Sequence, residues 1–301
     1  GSTLANMVIG VATPMVAYVV VDGKTVMSGS RMTIIAGVFS ICAILCYIVC
    51  FKLTRERVEV PASSQKVSAS AIFKSIFTNR ALLGIIVAAI FVLLSQLTVM
   101  GLAGYVYPNV YGSAAAQSTA SLLGTVIMLI VCAPFASKLA AKFGKKELAV
   151  ASSICSALVW LVCLIWRPAS VWGFVACYIL ANIGMGFFNT IIWAMITDVI
   201  DDAEVRSGIR EDGTIYAVYS FARKLGQAFS SGLVGALLGI IGYTEATAFD
   251  PAVTRGIFNM ACIAPIIGFV CIVLALVFLY PLNKKKVEEN VAALAARPNS
   301  K

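Results

Sequence analysis

Long stretches without a charged residue are the feature that most constrains the fold of this chain. A run of about 20 apolar residues is long enough for one helix to cross the roughly 30 Å hydrocarbon core of a membrane. Because the runs are continuous rather than alternating, they predict helices and not the strands of a barrel. The charge-free runs cover residues 3–21, 32–51, 81–137, 148–166, 168–197 and 256–283.

One of these runs is too long for a single crossing. Residues 81–137 contain turn-forming residues at 107–109 and 112–113, so we expect two spans there. A further span is predicted over 214–243, although it contains two cations. The sequence therefore predicts an all-α integral membrane protein with about eight spans. The composition agrees, since 60% of the residues are hydrophobic and 12% are charged.

The basic residues are distributed unevenly between the two sides of the predicted bundle. If the N-terminal end is cytoplasmic, 17 of the 23 Lys and Arg residues fall in inner segments and four in outer loops. The positive-inside rule then predicts that both ends of this chain are cytoplasmic in a multi-pass protein of the cell (plasma or inner) membrane. This asymmetry explains the net charge of +9, and no nucleic-acid partner is expected.

Several kinds of chemistry are excluded by the residues that are missing. The chain has no histidine, and its nine cysteines form no CxxC pair. Histidine catalysis, histidine metal sites and histidine proton relays are therefore ruled out. No Asp or Glu is predicted in the interior of a span, and Asp198 lies at the edge of the sixth. We accordingly expect no enzyme activity, no cofactor and no metal site in this chain.

A basic insertion rich in Ser and Ala divides the predicted spans into two groups. We expect residues 1–53 to be the last two helices of an N-terminal bundle, 54–80 a central cytoplasmic linker, 81–283 a C-terminal six-helix bundle and 284–301 a cytoplasmic tail. Two helices cannot enclose a site, whereas two bundles of six helices are the major facilitator arrangement. The first four helices of a twelve-helix protein are therefore expected to be absent from this sequence.

The span over 214–243 carries a cation at membrane depth. Lys224 lies about ten residues, or roughly 15 Å, from the predicted start of this helix, which is near the middle of the hydrocarbon core. We predict that its helix face lines an aqueous cavity and binds substrate. The alternative is that the lysine extends to the lipid headgroups. Polar residues at helical spacing share this face: Tyr216, Ser220, Gln227 and Ser231.

Two further features of this span lead to separate expectations. Arg223 lies about 100° around the helix from Lys224. Extension to the headgroups, pairing with an acidic loop residue and a role in the site remain open for it. Gly235 and Gly239 are expected to lie on the side opposite Lys224 and to allow close packing on a neighbouring helix.

A second polar stripe is predicted on the span 168–197, where Asn182, Gly186, Asn189 and Trp193 share a face. Amides and an indole are typical of sugar sites, because amides bind hydroxyl groups and the ring packs on C–H surfaces. We assign Asn182, Asn189 and Trp193 to the substrate site, together with Gln96 of the third span. Interhelical hydrogen bonding, with the indole as packing, is the alternative.

The segment 198–212 is strongly acidic, with six of the 14 acidic residues of the chain. We predict a cytoplasmic gating loop whose acids meet Arg206, Arg210 or the basic inner loops as two bundles rock. A solvated loop without this role is the alternative. The residues assigned to the gating loop are Asp198, Asp201, Asp202, Arg210 and Asp212.

The same region resembles the signature of the glycoside–pentoside–hexuronide:cation symporter family. The resemblance covers essentially the whole chain as the last eight of twelve helices of an N-terminally incomplete major facilitator fold. It is strongest in one long block and continues towards the C-terminal end. The matching residues are Asp198, Asp201, Asp202, Glu204, Gly208-x-Arg210-x-Asp212-Gly213, Tyr216, Phe221-x-Arg223-Lys224-x-Gly226-Gln227, Leu238-Gly239-x-x-Gly242-Tyr243 and Tyr280-Pro281-Leu282.

The resemblance implies alternating-access symport of a glycoside, pentoside or hexuronide with Na⁺ or H⁺ as the coupling ion. By position, Lys224 matches a lysine near the family's sugar and cation sites, and Ser220 matches a hydroxyl residue one turn earlier. Asn189 stands where the melibiose carrier has a sugar-contacting tryptophan, so Trp193 is the candidate replacement. Asp212 stands where relatives have Glu. The family's coupling aspartates lie on the first four helices, where the coupling-cation site is expected.

Other functions remain as alternatives to cation–sugar symport. They are a major-facilitator-like carrier of another small solute, a non-transporting membrane sensor or scaffold, and a membrane enzyme, which would need a reactive group that the spans do not provide. The expected partners are a small sugar and the lipid bilayer, and no protein partner is implied. Lys224 pairs either with a substrate carboxylate or with a carboxylate outside this sequence.

Overall fold

A computed structural model describes residues 16, 18–21, 24–27, 29–54, 79–208, 210 and 212–296. The chain divides into two compact units, Gly1–Lys66 and Val67–Lys301. This division falls within the predicted linker 54–80, most of which lies outside the described residues, so the predicted domain boundaries stay a prediction.

The first unit contains a hairpin and one long helix. Strand β1 (Tyr18–Val21) pairs antiparallel with β2 (Lys24–Met27), with Tyr18 opposite Met27. Helix α1 (Gly29–Leu53) follows. The prediction of a membrane span over residues 3–21 was therefore wrong for residues 18–21, which form a strand. Residues 3–15 lie outside the described part of the chain. Valine-rich segments favour strands, and the Asp-Gly pair at 22–23 is a strong hairpin signal in the sequence.

All the regular elements among the described residues of the second unit are helices. The helices are α2 (Arg80–Tyr105), α3 (Ala114–Ile127), α4 (Ala133–Phe143), α5 (Lys145–Trp166), α6 (Val171–Ser207), α7 (Asp212–Ile241), α8 (Pro251–Leu274) and α9 (Lys284–Ala295). Three short segments have π-helical hydrogen bonding: Val106–Val110 extends α2, Met128–Cys132 joins α3 to α4, and Ala275–Leu279 extends α8.

Seven helical segments of the described chain are long and apolar enough to cross a membrane. They are α1, α2, the continuous α3–α4 segment, and α5 to α8. The predicted division of residues 81–137 into two spans is confirmed, because a turn at Gly112 (φ +63°) separates α2 from α3. A tight turn at Gly144 reverses the chain between α4 and α5, and its φ of +107° is a value that favours glycine.

Helix α6 is longer than the sequence analysis predicted. It continues ten residues beyond 197, so most of the predicted loop 198–212 is helical. No glycine or proline interrupts the sequence between 197 and Gly208. Gly208 then adopts a φ of +77° and donates its N–H to the Glu204 carbonyl, which ends the helix. The acidic residues therefore project from a rigid helix end rather than from a loop.

Helix–helix packing in the second unit depends on small residues at close approaches. α2 packs against α7 and α8, and α5 packs against α6 and α8. A Cβ atom at Gly184 of α6 would lie 2.5 Å from the Ser152 carbonyl oxygen of α5. A Cβ atom at Gly226 of α7 would lie 3.0 Å from the Ile90 carbonyl oxygen of α2. These contacts bring the helix backbones close together and fix the register between them.

The predicted position of Gly235 and Gly239 opposite Lys224 was wrong, while their packing role stays a prediction. Outside α7 itself, no described atom lies within 4 Å of a Cβ built on either glycine. Gly235 is eleven residues after Lys224, and at 100° per residue it returns to within about 20° of it. It therefore shares the side of Lys224. The small residues that are buried on the opposite side of α7 are Ala222, Gly226 and Ser230.

Candidate functional site

Helices α2 and α6 are joined by an amide pair at membrane depth. The Asn189 Nδ2 group of α6 donates a hydrogen bond to Gln96 Oε1 of α2 at 3.4 Å. Both side chains are half-buried. Within the described residues, the Asn189 oxygen and the Gln96 NH₂ group have no other partner. The pair therefore retains both a donor and an acceptor for a further ligand.

One helical turn further along α6, an indole and a phenol hold a guanidinium group. Trp193 contacts Tyr219 of α7 edge-on, with 5.5 Å between the ring centroids. The Arg223 guanidinium carbon lies 5.4 Å from the Trp193 ring and 5.7 Å from the Tyr219 ring. Arg223 Nη1 also donates to the Tyr219 hydroxyl at 3.3 Å. These distances are typical of cation–π contacts.

Five neighbouring residues of α2, α6 and α7 form what we call the amide–aromatic cluster: Gln96, Asn189, Trp193, Tyr219 and Arg223. Tyr219 is fully buried, whereas the Trp193 side chain is 48% exposed. The buried phenol anchors the cluster, and the exposed indole gives it an open surface. Because Asn189 and Trp193 are four residues apart on one helix, amides and indole lie about 6 Å apart along the axis.

The predicted stripe on α7 lies beside this cluster. We call it the α7 polar stripe, and Lys224, Ser220 and Tyr216 within it are exposed. In the described part of the chain, no hydrogen bond or ion pair involves the Lys224 ammonium group. Arg223 stands at the edge of the stripe nearest to α6 and connects it to the cluster. The stripe consists of Tyr216, Ser220, Lys224, Gln227 and Ser231.

Asn182 is not brought into the cluster. Its Nδ2 group donates to the Tyr178 carbonyl of the same helix at 2.7 Å. It lies seven residues before Asn189, which is about 10 Å along α6. The structure thus brings Gln96, Asn189 and Trp193 together and leaves Asn182 two turns away.

The predicted gating residues make contacts at the polar ends of α5, α6 and α9. Asp198 is buried, and its Oδ1 atom accepts a hydrogen bond from Lys145 Nζ of α5 at 2.6 Å. Asp202 accepts from Asn290 Nδ2 of α9 at 3.0 Å and forms an ion pair with Arg206 one turn further on. These contacts attach the end of α6 to two neighbouring helices.

Arg210 forms a separate ionic centre between α6 and α7. Its guanidinium lies 3.0 Å from Asp201, 2.7 Å from Glu204 and 3.0 Å from Asp212. Arg210 donates hydrogen bonds to Glu204 and to the two aspartates, and these bonds raise the pKa of Arg210. A single cation thus holds the connection between two membrane-length helices.

Tyr219 was not predicted to belong to the site, and several roles were predicted for Arg223. The spacing of four residues between them, which places both on one face of α7, was the available signal. The structure shows Arg223 against two rings on α6 and α7 instead of against an acid of the described chain. Lys145 lies in one of the basic inner segments that were predicted to meet the acids, and it pairs with Asp198. Asn290, the partner of Asp202, carried no sequence signal beyond its polarity.

Comparison with known proteins identifies the family. The family described as MFS/sugar transport protein matches residues 2–284. The chain belongs to this family of major facilitator sugar transport proteins. It is similar to the glucuronide carrier protein homolog of Escherichia coli (strain K12), with 27% identity over 263 residues that cover 86% of this chain and 56% of the relative.

Two further relatives give the same result for this sugar transport family. The putative sulfoquinovose importer of Salmonella typhimurium (strain LT2) is 28% identical over 267 residues, which cover 88% of this chain and 56% of the relative. The uncharacterized symporter YjmB of Bacillus subtilis (strain 168) is 28% identical over 258 residues, which cover 84% of this chain and 55% of the relative. The chain thus spans a little over half the length of these relatives.

These matches confirm the resemblance to the glycoside–pentoside–hexuronide group of major facilitator proteins. They place the chain in a family of sugar transport proteins rather than among enzymes. The membrane-length helices of the described chain agree with this identification. The coupling ion, the particular sugar and the orientation of the chain ends stay predictions.

Proposed function

We propose that the protein is a secondary active transporter that couples Na⁺ or H⁺ to the uptake of a glycoside, pentoside or hexuronide by alternating access. The observation that supports this most directly is the amide–aromatic cluster beside the α7 polar stripe. Three helices contribute polar groups to one half-open face at membrane depth. Polar groups at such a depth are costly in a purely structural helix and are typical of solute sites.

The chemistry of the cluster suits a sugar. Gln96 and Asn189 offer a donor and an acceptor for hydroxyl groups, and the exposed Trp193 ring offers a flat apolar surface for the C–H side of a pyranose. Tyr216, Ser220, Lys224 and Gln227 add polar contacts from the stripe. The names of the relatives, a glucuronide carrier homolog and a putative sulfoquinovose importer, are consistent with this solute class.

We assign the acidic end of α6 to the cytoplasmic gate. Asp198 and Asp202 hold α6 against α5 and α9, and Arg210 holds α6 to α7 through Asp201 and Asp212. Ion pairs at a helix end can re-form with other partners when the bundles rock, so they are suited to a latch. The coupling carboxylate is proposed to lie outside the amide–aromatic cluster, which contains no acid.

Uptake into proteoliposomes tests this proposal. The complete gene product, reconstituted with an imposed Na⁺ or H⁺ gradient, is expected to accumulate a labelled phenyl glycoside of glucuronic acid, glucose or xylose, and an ionophore should abolish the accumulation. Lys224→Gln should lower it about tenfold or more, since hydrogen bonds to charged groups contribute roughly 1.5–3 kcal/mol. The exposed Lys285 of α9 provides the matched control, Lys285→Gln.

Two outcomes would contradict the proposal at different levels. If no glycoside is taken up under either gradient, the assigned function is wrong. If uptake occurs but is the same for Lys224→Gln as for wild type and Lys285→Gln, the function stands and the assignment of Lys224 to the site is wrong.

A further inference from the structure

The Arg223 guanidinium carries a charge that no described carboxylate neutralises. Every ion pair between described residues lies at the polar end of the bundle or within α9. Arg223 is near the middle of the 30-residue helix α7, and it is half-buried. A cation at this depth is costly unless it is balanced by a charge or by water. The position is therefore one where an anion would be stabilised.

The guanidinium is also held in a fixed orientation. The Trp193 and Tyr219 rings contact it, and the Tyr219 hydroxyl accepts one of its five N–H donors. Within the described residues the other donors have no partner. A planar guanidinium with free donors matches carboxylate and sulfonate oxygens in a two-point geometry. Because the rings fix its plane, little further ordering is needed when such a group binds.

We propose that Arg223 is a specificity-determining residue that binds the carboxylate or sulfonate of an acidic sugar. This inference rests on the proposed function, in which the amide–aromatic cluster binds the sugar. The anionic substituent pairs with Arg223, the ring lies over Trp193, and the hydroxyl groups meet Gln96 and Asn189. The amide pair and the indole are about one helical turn apart, a separation that one sugar ring can bridge.

Arg223 suits this role better than its neighbour Lys224. The two side chains leave the helix about 100° apart, and Arg223 alone contacts the indole of α6. Lys224 is exposed on the stripe, and none of the cation–π contacts between described residues involves it. Its ammonium group is a point charge on a flexible stem, which does not select a planar anion. Lys224 then contributes to transport of acidic and neutral sugars alike.

Competition binding with matched ligands tests the inference. The complete gene product is titrated with phenyl β-glucuronide, its 6-sulfonate counterpart and phenyl β-glucoside, which differ at the substituent on carbon 5. Wild type should bind one of the acidic ligands about tenfold or more tightly than the glucoside. The acidic ligand that binds more tightly shows whether the site prefers a carboxylate or a sulfonate.

Arg223→Gln should remove the preference for acidic ligands and change glucoside affinity less than about twofold. Arg223→Lys should retain part of this preference.

Two other variants separate recognition from folding. Tyr219→Phe removes the hydroxyl that orients Arg223 and keeps the ring, so it should lower the ratio of acidic to glucoside affinity a few-fold. Lys224→Gln should weaken acidic and neutral ligands alike and so keep this ratio, and the exposed Lys285→Gln, outside the site, should change neither affinity. If Arg223→Gln does not fold, as measured by thermal unfolding in detergent, the Tyr219→Phe result decides.

The failures are distinguishable. If none of the ligands binds and no glycoside is transported, the proposed function fails. If glycosides are transported and the acidic preference is absent, or is the same in wild type, Arg223→Gln and Tyr219→Phe, this inference alone is overturned. Arg223 would then balance a carboxylate of the protein itself.

Discussion

At the residue scale, the indole of Trp193 connects the parts of the proposed site. It contacts the Tyr219 ring, faces the Arg223 guanidinium and follows Asn189 by one turn of α6. Its exposure shows that burial is not what determines its position. An aromatic surface that is held in place but left open is what stacking on a sugar requires.

We expect Trp193→Ala to weaken the binding of acidic and neutral glycosides together, by about tenfold, because both lose the stacking surface. This pattern differs from that of Arg223→Gln, which should affect acidic ligands alone. Calorimetric titration of the purified carrier measures the affinity for the acidic and for the neutral glycoside. Trp172 is the matched control, since its indole is 57% exposed at the start of the same helix and lies outside the cluster. Equal losses in Trp172→Ala and Trp193→Ala would contradict the role of Trp193.

At this scale the sequence predicted which polar residues belong together, but it did not predict the contacts between helices. Gln96 was predicted from its polarity, and Asn189 and Trp193 from polarity and spacing on one helix; the structure brings the three together, while their role in binding stays a prediction. Tyr219 was missed, because it lies about 140° around α7 from Lys224 and so outside the predicted stripe. Asn182 shares the face of Asn189, but its amide is satisfied by its own helix. Only the assembled bundle distinguishes these cases.

At the element scale, helix positions followed from hydrophobicity, whereas helix ends and packing faces did not. Long apolar runs identify spans because backbone groups in lipid must be satisfied within a helix. The end of α6 depends instead on Gly208, eleven residues beyond the apolar run. The packing face of α7 depends on where α2 lies, so Gly226 is in contact and Gly235 is not.

Gly184→Ala should destabilise the α5–α6 contact by about 1–3 kcal/mol, since the new methyl group would overlap the Ser152 carbonyl and the Ser156 hydroxyl. Gly235→Ala is the matched control, with no atom within 4 Å of the added methyl. It should be neutral or stabilising by up to about 1 kcal/mol, because alanine is the better helix former. Thermal unfolding in detergent compares the two. A Gly184→Ala protein as stable as Gly235→Ala would contradict the close packing described above.

At the scale of the whole molecule, the ion pairs between described residues of the bundle are concentrated at one of its ends. Lys145, Asp198, Asp202 and Arg210 gather at one end of α5 and α6, together with α9. The opposite end contains the turn between α7 and α8. The distribution of Lys and Arg predicts that the first end is cytoplasmic. The hairpin in the first unit was not predicted, because a valine-rich run is compatible with either a strand or a span.

Cysteine labelling in intact cells tests this orientation. Glu245 lies in the turn between α7 and α8, and Glu288 lies on α9; both are exposed. Glu245→Cys should react with a membrane-impermeant maleimide added outside, and Glu288→Cys should react only after the cells are opened. Labelled peptides are identified by mass spectrometry, which separates them from the nine native cysteines. The reverse pattern would invert the proposed topology and move the acidic gate to the outer side.

The measurement that tests the central claim most directly is substrate protection of α7. Ser220 lies in the polar stripe, one turn before Lys224, and is exposed, whereas the exposed Phe229 lies on a different side of the helix. In the complete gene product, a saturating phenyl glycoside that the carrier transports should slow maleimide labelling of Ser220→Cys about tenfold and leave Phe229→Cys unchanged. If the glycoside is transported yet Ser220→Cys reacts at the same rate with and without it, the sugar does not bind at this face.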